Sequence, residues 1–222
     1  MKIAVVILNW NTKGFLERFL PGLLDSVRED ASVVVADSAS SDGSLQMLDE
    51  KFPSVIQVPL QENYGFTGGY NRAFEALRGM PEGKDMEYFV LINSDIEVTQ
   101  GWLTPLVDWM GTHPECAACA PKLHSWQDRD SFEYAGAAGG FLDKFGYPFC
   151  RGRVMKRVEK DEGQYDSPAE VLWATGACLM VRKEDEAKYA SFADFDGKQV
   201  GYHSGTLQEQ LVEMHLPKVK RR

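Results

Sequence analysis

Ile3 to Asn9 reads IAVVILN, an unbroken apolar run rich in β-branched side chains that ends in an asparagine. Such a run is typical of a strand buried on both faces of a parallel sheet. Apolar side chains between Phe15 and Val27 then recur at helical spacing. Further strand-like runs follow as SVVVAD (32–37), SVIQVPL (54–60) and EYFVLINSD (87–95), with amphipathic stretches between them. This alternation predicts right-handed βαβ units, and therefore an α/β fold with a mostly parallel central sheet and helices on both faces.

The second half of the chain is less regular. Residues 116–123 predict one more strand, and the stretch 133–153, rich in glycine and aromatic residues, predicts a long loop or hairpin near a site. VLWATGACLMVRK (171–183) predicts a last buried strand with a glycine break. After Lys183 the apolar pattern fades.

Composition and charge exclude several classes of protein. The chain has 222 residues, with 24 basic and 33 acidic side chains and a formal net charge of −9. This length suits one ordinary domain, and the acidic balance argues against a nucleic-acid partner, which usually requires a basic face. Four cysteines are too few for a disulfide framework. The pair Cys116 and Cys119 has no second pair or histidine cluster nearby, which favours a buried strand over a zinc or redox site and indicates a reducing compartment.

No targeting or membrane-spanning segment is expected. The apolar run that opens the chain is too short for a signal peptide, and no run has the length needed to cross a bilayer. The predicted location is the cytoplasm. The basic tail LPKVKRR (216–222) leaves open a peripheral contact with the inner face of the membrane, although a frayed, solvated terminus is the favoured interpretation.

Four consecutive predicted strands end in polar residues or glycines. The first ends at Asn9 and Asn11, the second at Asp37, the third before ENYGFTGGYN (62–71), and the fourth at Asn93 to Asp95. One such end is ordinary turn chemistry. Because ligands bind beyond the carboxyl ends of parallel strands, the four ends together predict a ligand site.

Individual residues allow a structural and a functional interpretation. Asp37 is either a turn residue or a carboxylate that accepts hydrogen bonds from a base or ribose. Gly65, Gly68 and Gly69 either form a simple loop or expose the amides of a helix N-terminus to a phosphate or sugar. Ser38 and Asp42 are interpreted as helix caps.

Asp95 and Glu97 are the best candidate ligands for a hard divalent cation, although NSDIEVT is also the composition of a solvated turn. A cation at this place would bridge a diphosphate and stabilise the charge of a leaving group. The four histidines have no ligand spacing, and neither a nucleophile elbow nor a Cys–His pair is present.

The motifs VVILNWN, VVVADSASSDGS, ENYGFTGGYNRA and VLINSDIEVTQGWL resemble those of the inverting glycosyltransferases of family 2, in particular bacterial rhamnosyltransferase-like members. The resemblance extends from Ile3 to about Val181. It implies a three-layer GT-A (nucleotide-diphospho-sugar transferase) fold, a UDP- or dTDP-sugar donor, a glycan or lipid-linked acceptor, a divalent metal (Mg or Mn) and a place in polysaccharide biosynthesis. It divides the chain into a transferase domain at 1–183, with the donor-binding half at about 1–100, and a divergent or truncated acceptor-side tail at 184–222.

The resemblance also implies residue roles. Asp37 would hold the base and ribose. Asp95 stands where the family's metal-binding D-x-D motif ends, and Asn93 replaces the first aspartate, so that metal binding would rest on Asp95 and the diphosphate. Thr175 and Gly176 would border the acceptor side. The other implied donor-binding residues are Asn9, Asn11, Asn63, Gly65, Phe66, Gly69, Asn71 and Ser94.

The chain departs from the family where the catalytic base is expected. The E-D-x-D-L-C-W-R block that usually follows WATGA is absent, and Glu184 and Asp185 lie too early to replace it. Asp194 and Asp196 are weak candidates for the base. A nucleotide-sugar-binding domain without transfer activity is therefore the alternative to an active transferase. A nucleotidyltransferase is disfavoured because NWNTKGF lacks the glycine-rich basic loop of that class.

Overall fold

The computed structural model describes residues 2–134 and 137–184. Its larger sheet contains six strands in the spatial order β3-β2-β1-β4-β10-β5. The first four strands in that order run parallel, whereas β10 runs antiparallel to both of its neighbours. The sheet is therefore mostly parallel, as predicted. Its strands are β1 (Ile3–Asn9), β2 (Ala31–Asp37), β3 (Ile56–Pro59), β4 (Tyr88–Ile92), β5 (Ala118–Cys119) and β10 (Cys178–Arg182).

Helices cover both faces of this sheet. Along β1, Ile3, Val5 and Ile7 face one hydrophobic core, which contains the buried faces of α1, α2 and α4. Ala4 and Val6 face the second core, which is closed by α3. This alternation explains why the strand is apolar along its whole length. The helices are α1 (Lys13–Ser26), α2 (Ser44–Lys51), α3 (Gly65–Gly79) and α4 (Leu103–Thr112).

The predicted strand ends were partly wrong. The fourth strand stops at Ile92 instead of Asp95, since its pairing with β1 ends there. The next backbone N–H, that of Asn93, donates to Ala177 O (2.9 Å), just before β10. The strand predicted at 116–123 has only two ladder residues at the sheet edge. The glycine break in 171–183 is real, and β10 begins after it at Cys178.

Residues 140–158 form a second, smaller sheet, whose first two strands are a hairpin within the stretch where a loop or hairpin was predicted. Its four strands form an antiparallel meander in the order β6-β7-β8-β9. A third, small core of Phe132, Ala137, Ala138 and Cys150 lies beneath it. The sequence did not predict the four-stranded sheet, because each of its strands has only two or three residues, too few to show an alternation of apolar and polar side chains. The strands are β6 (Gly140–Leu142), β7 (Pro148–Cys150), β8 (Arg153–Val154) and β9 (Arg157–Val158).

Arg182 joins the end of β10 to the end of α4. Its guanidinium donates to the hydroxyl of Tyr88 (2.9 Å) and to the carbonyls of Met110, His113 and Cys116. The bonds to Met110 and His113 satisfy carbonyls that the C-terminus of α4 leaves without intrahelical partners. Within residues 2–134 and 137–184, no helix combines the length and apolarity that crossing a membrane requires.

Candidate active site

The strand order places a crevice at the carboxyl edge of the larger sheet. From β1 the chain proceeds outward through β2 to β3, and then returns to add β4 on the other side of β1. The strand order therefore reverses between β1 and β4, and open α/β sheets bind ligands at the carboxyl ends of the strands beside such a reversal. The start of β10 reaches the same edge, because β10 runs antiparallel to β4.

Asn9 and Asp37 form a buried polar pair at this edge. They are register partners in β1 and β2, and both are 0 % exposed. The Asn9 amide donates to one carboxylate oxygen of Asp37 (2.5 Å), and the backbone N–H of Ser40 donates to the other (2.8 Å). Asn9 also accepts a hydrogen bond from the Thr12 hydroxyl (2.5 Å). Both predicted residues thus contact each other and shape the adjoining loops.

Asn11 continues the network towards solvent. Its backbone N–H donates to Ser40 Oγ (2.8 Å), and its side-chain oxygen accepts from the backbone N–H of Ser41 (2.8 Å). Asn11 adopts a positive φ of 55°, a conformation that asparagine tolerates better than most residues. The loops after β1 and β2 are therefore locked together by side chains predicted to line the nucleotide pocket.

Of the two residues predicted to cap helices, Asp42 does so and Ser38 does not. Asp42 accepts from the backbone N–H groups of Lys13 (2.9 Å) and Ser44 (3.0 Å), the first residues of α1 and α2. Asp42 is thus confirmed as a capping residue. Ser38 does not cap a helix: its hydroxyl is buried and has no hydrogen-bond partner in the described part of the chain.

The glycine-rich segment forms the start of α3, as predicted. Asn63 accepts the backbone N–H of Gly65 (2.9 Å), which has a φ of +70°. Gly69 is buried, and a Cβ there would lie 2.7 Å from the methyl groups of Leu8, so that this glycine lets α3 approach β1 closely. Phe66 packs edge-on against Tyr70 with ring centroids 4.9 Å apart. Gly69 and Phe66 therefore have packing roles in addition to any contact with a donor.

Asn71 is the residue of α3 that is best prepared for a ligand. Its side-chain oxygen is buried without a hydrogen-bond partner among the described residues. Next to it, the guanidinium of Arg72 stacks over the Tyr64 ring at 3.8 Å from the centroid. Tyr64 and Arg72 also line a shallow groove between the end of β3 and α3, together with Pro59, Leu60, Gln61, Glu75 and Ala76.

The turn after β4 meets the segment that precedes β10. The hydrogen bond from Asn93 N to Ala177 O joins them directly. Thr175 is nearly buried, and its hydroxyl accepts the backbone N–H of Ala177 (3.2 Å). The turn that contains Ser94 and Asp95 therefore begins next to the segment that contains Thr175 and Gly176, although about eighty residues separate the two segments in sequence.

The two candidate metal ligands are in different situations. Glu97 is paired with Arg129 at 2.5 Å, which lowers the pKa of its carboxyl group. Asp95 is exposed, and no hydrogen bond or ion pair engages its carboxylate within residues 2–134 and 137–184. The same residues contain no group of three potential ligands. One free carboxylate fits a divalent cation only if further oxygens come from the ligand, as a diphosphate supplies them.

Sequence reasoning missed one polar cluster, at the segment that follows β5. Lys122 bonds Asp161 (2.6 Å) and Asp166 (2.5 Å), and His124 Nε2 lies 2.8 Å from the same Asp161 oxygen. The hydrogen bond from Lys122 lowers the pKa of Asp161 to about 2. No spacing rule could have found a pair that is 39 residues apart. Asp194 and Asp196, the candidates for the base, lie outside the described residues.

The fold and the polar residues at its strand ends together define a class of protein. A doubly covered, mostly parallel sheet with an antiparallel strand beside β4, and polar strand ends around the switch point, is the layout of a nucleotide-binding GT-A domain. The sequence profile of glycosyl transferase family 2 matches residues 4–186, and the chain belongs to that family.

Individual relatives agree with this assignment. An N-acetylglucosaminyl-diphospho-decaprenol L-rhamnosyltransferase of Mycobacterium tuberculosis is 26% identical over 86% of this chain and 64% of its own length. An uncharacterized glycosyltransferase of Nostoc sp. is 34% identical over 36% of this chain and 26% of its own length. The chain thus covers just under two thirds of the mycobacterial relative.

Solved structures confirm the fold. Residues 1–349 of TarS from S. aureus superpose with a TM-score of 0.60 at 15% identity, over 96% of this chain and 55% of that one. GalNAc-T7, solved with UDP, GalNAc and Mn²⁺, gives a TM-score of 0.61 at 15% identity, over 85% of this chain and 36% of its own. The GT-A fold expected from the sequence motifs is thereby confirmed.

Proposed function

We propose that this chain binds a nucleoside-diphosphate sugar, UDP- or dTDP-linked, and transfers the sugar with inversion to a glycan or lipid-linked acceptor. The observation that carries the proposal is the exposed carboxylate of Asp95, which none of the described residues engages, in the turn after β4 at the edge that also holds the buried pair of Asn9 and Asp37. Membership of glycosyl transferase family 2 supports the reaction class. The lipid-linked acceptor is suggested by the name of the mycobacterial relative.

In this proposal the sugar nucleotide contacts the loops after β1 and β2, the first turns of α3, and the turn after β4. The nucleoside pocket is bordered by Asn9, Asn11 and Asp37. The start of α3 directs backbone N–H groups towards the diphosphate, where the helix dipole favours negative charge. The side-chain oxygen of Asn71, which has no hydrogen-bond partner among the described residues, accepts a hydrogen bond from a hydroxyl group of the nucleotide sugar. The remaining proposed contacts are Asn63, Gly65, Phe66, Gly69 and Ser94.

A divalent cation, Mg²⁺ or Mn²⁺, would be held by Asp95 together with diphosphate oxygens. When bound, it supplies positive charge that stabilises the departing nucleoside diphosphate. Thr175 and Gly176 lie on the proposed acceptor side. Inversion also requires a base on the far side of the sugar to deprotonate the acceptor hydroxyl, and Asp194 and Asp196 remain the candidates.

The role of Asp95 is tested by an Asp95→Ala variant. Calorimetric titration with UDP in the presence of manganese is expected to lose at least about tenfold in affinity, because a charge-assisted contact is removed. The Asp25→Ala variant is the control, since Asp25 is an exposed carboxylate on α1. If Asp95→Ala and the wild type bind UDP equally with and without manganese, Asp95 is not a metal ligand.

The alternative function is a nucleotide-sugar-binding domain that does not transfer sugar by itself. The absence of the E-D-x-D-L-C-W-R block from the sequence after Lys183 favours it. Titration alone cannot distinguish the two functions. A nucleotide-release assay with UDP- and dTDP-sugars and an acceptor distinguishes them, because only the transferase releases nucleoside diphosphate in proportion to acceptor.

A further inference from the structure

The small sheet carries an unusual surface at one of its two ends. In an antiparallel meander of four strands, the β6–β7 and β8–β9 turns lie at the same end, and the β7–β8 turn lies at the opposite end. The β7–β8 turn packs into the protein, since Gly152 is buried against the ring of Phe132. The other two turns are the exposed end of the sheet. We call them the hairpin tips and define them as residues 142–147 and 154–158.

The hairpin tips expose large apolar side chains instead of the polar residues usual in turns. Phe145 is 74% exposed, Tyr147 70% and Met155 83%. Leu142, Val154 and Val158 are also among the exposed hydrophobic residues. Monomeric proteins in water rarely gather so many apolar side chains on one small surface without a partner for it.

The charge of this region is opposite to that of the whole molecule. Residues 142–158 contain five basic side chains and one acidic side chain, a net charge of +4, whereas the chain carries −9. The exposed cations at the tips are Lys144, Lys156 and Arg157. The one acidic side chain, Asp143, is engaged in its own turn, where its carboxylate accepts hydrogen bonds from the backbone N–H groups of Phe145 (2.8 Å) and Tyr147 (2.9 Å).

The conformation of the tips leaves these side chains outside. Asp143 holds the first turn from within through its carboxylate. Arg153 supports the second turn by donating to the carbonyl of Met155 (2.7 Å). Polar groups thus fix the backbone of both turns, and the aromatic and aliphatic side chains are not required for it.

We propose that the hairpin tips are a docking surface for an anionic phospholipid bilayer. Exposed aromatic and aliphatic side chains among lysine and arginine are the composition that inserts into the headgroup region. The positive tips also orient the molecule, because anionic lipid attracts them whereas the residues outside 142–158 sum to a negative charge. The proposal rests on the tips alone and does not require the proposed transfer reaction.

The test is co-sedimentation of the full chain with phosphatidylcholine vesicles and with vesicles that also contain phosphatidylglycerol. The wild type is expected to partition onto the anionic vesicles and to lose most of that binding in high salt. The double variant Lys156→Gln/Arg157→Gln is expected to bind about tenfold or more weakly, since each cation near the surface contributes roughly fivefold. The double variant Phe145→Ser/Met155→Ser is expected to lose a comparable amount.

Matched controls change similar residues elsewhere. Phe15→Ser removes a half-exposed aromatic from α1, and Lys84→Gln removes an exposed cation away from the tips, and both should bind as the wild type does. Unchanged binding of the tip variants, which would place the contact in the basic tail, overturns the proposal. The proposal is also overturned if the wild type does not bind vesicles but self-associates in their absence, and the tip variants abolish this self-association. The hairpin tips would then bind a second copy of the chain.

Discussion

At the scale of single residues, the polar strand ends were predictable and their pairing was not. The rule for parallel sheets selected Asn9, Asp37 and Asp95 from the sequence, because each follows a buried apolar run. Which of them touch depends on strand register, and only the structure shows that Asn9 lies directly opposite Asp37. Asp95, with no such partner in the described residues, is the one that stays available for a ligand.

Asp37→Asn should reduce both stability and nucleotide affinity. An asparagine places an N–H₂ group where the carboxylate now accepts from Asn9 or Ser40, which costs about 1–3 kcal/mol in the free energy of unfolding. Urea denaturation measures the first effect and calorimetric titration with UDP the second. Asp42→Asn is the control, because Asp42 also accepts backbone N–H groups and is not a proposed donor contact. An unchanged dissociation constant for UDP in Asp37→Asn would limit Asp37 to a structural role.

At the scale of elements, long apolar runs were easier to predict than short strands. β1, β2 and β4 are continuous buried segments, and the helical spacing between Phe15 and Val27 identified α1. The small sheet has strands of two or three residues, which carry no periodic signal. Its place depends on long-range contacts such as the antiparallel bridge between Gly140 and Trp173, which no local pattern records.

Gly140→Ala should destabilise the small sheet. A Cβ on Gly140 would overlap the indole ring of Trp173, which packs against the third core. We expect a loss of about 1–3 kcal/mol in the free energy of unfolding, the usual cost of overpacking. Gly22→Ala is the control, because nothing lies near that position in α1 and alanine favours a helix by up to about 1 kcal/mol. Equal urea midpoints for Gly140→Ala and the wild type would contradict this packing.

The cluster of Lys122 and Asp161 should make stability depend on pH in the acid range. The pKa of Asp161 is lowered to about 2, chiefly by Lys122, from an unfolded value of about 3.9. The ionised form is therefore favoured by folding, and its contribution is complete above about pH 4 and is lost as the pH falls towards 2.

Urea denaturation of the wild type and Asp161→Asn across this range measures the effect. The difference between their free energies of unfolding should narrow steadily below about pH 4. Asp166→Asn is the control: its carboxylate contacts the same lysine but is 67% exposed, so water screens the pair. A difference between wild type and Asp161→Asn that does not change with pH would contradict the account.

At the scale of the whole molecule, the family match and the fold define one GT-A domain over most of the chain. The predicted division into a transferase domain at 1–183 and an acceptor-side tail at 184–222 stays a prediction, with the donor-binding half placed at about 1–100. The chain covers 64% of the mycobacterial relative, so a substrate or acceptor carried over from that protein is a proposal for this chain.

The most direct measurement is calorimetric titration of the wild type with UDP and with dTDP, each with and without manganese. Binding of at least one nucleotide that is strengthened by manganese is the predicted result, since Asp95 supplies one ligand and the diphosphate the others. Binding of neither nucleotide under any of these conditions would contradict the claim that the carboxyl edge of the sheet is a nucleotide-sugar site.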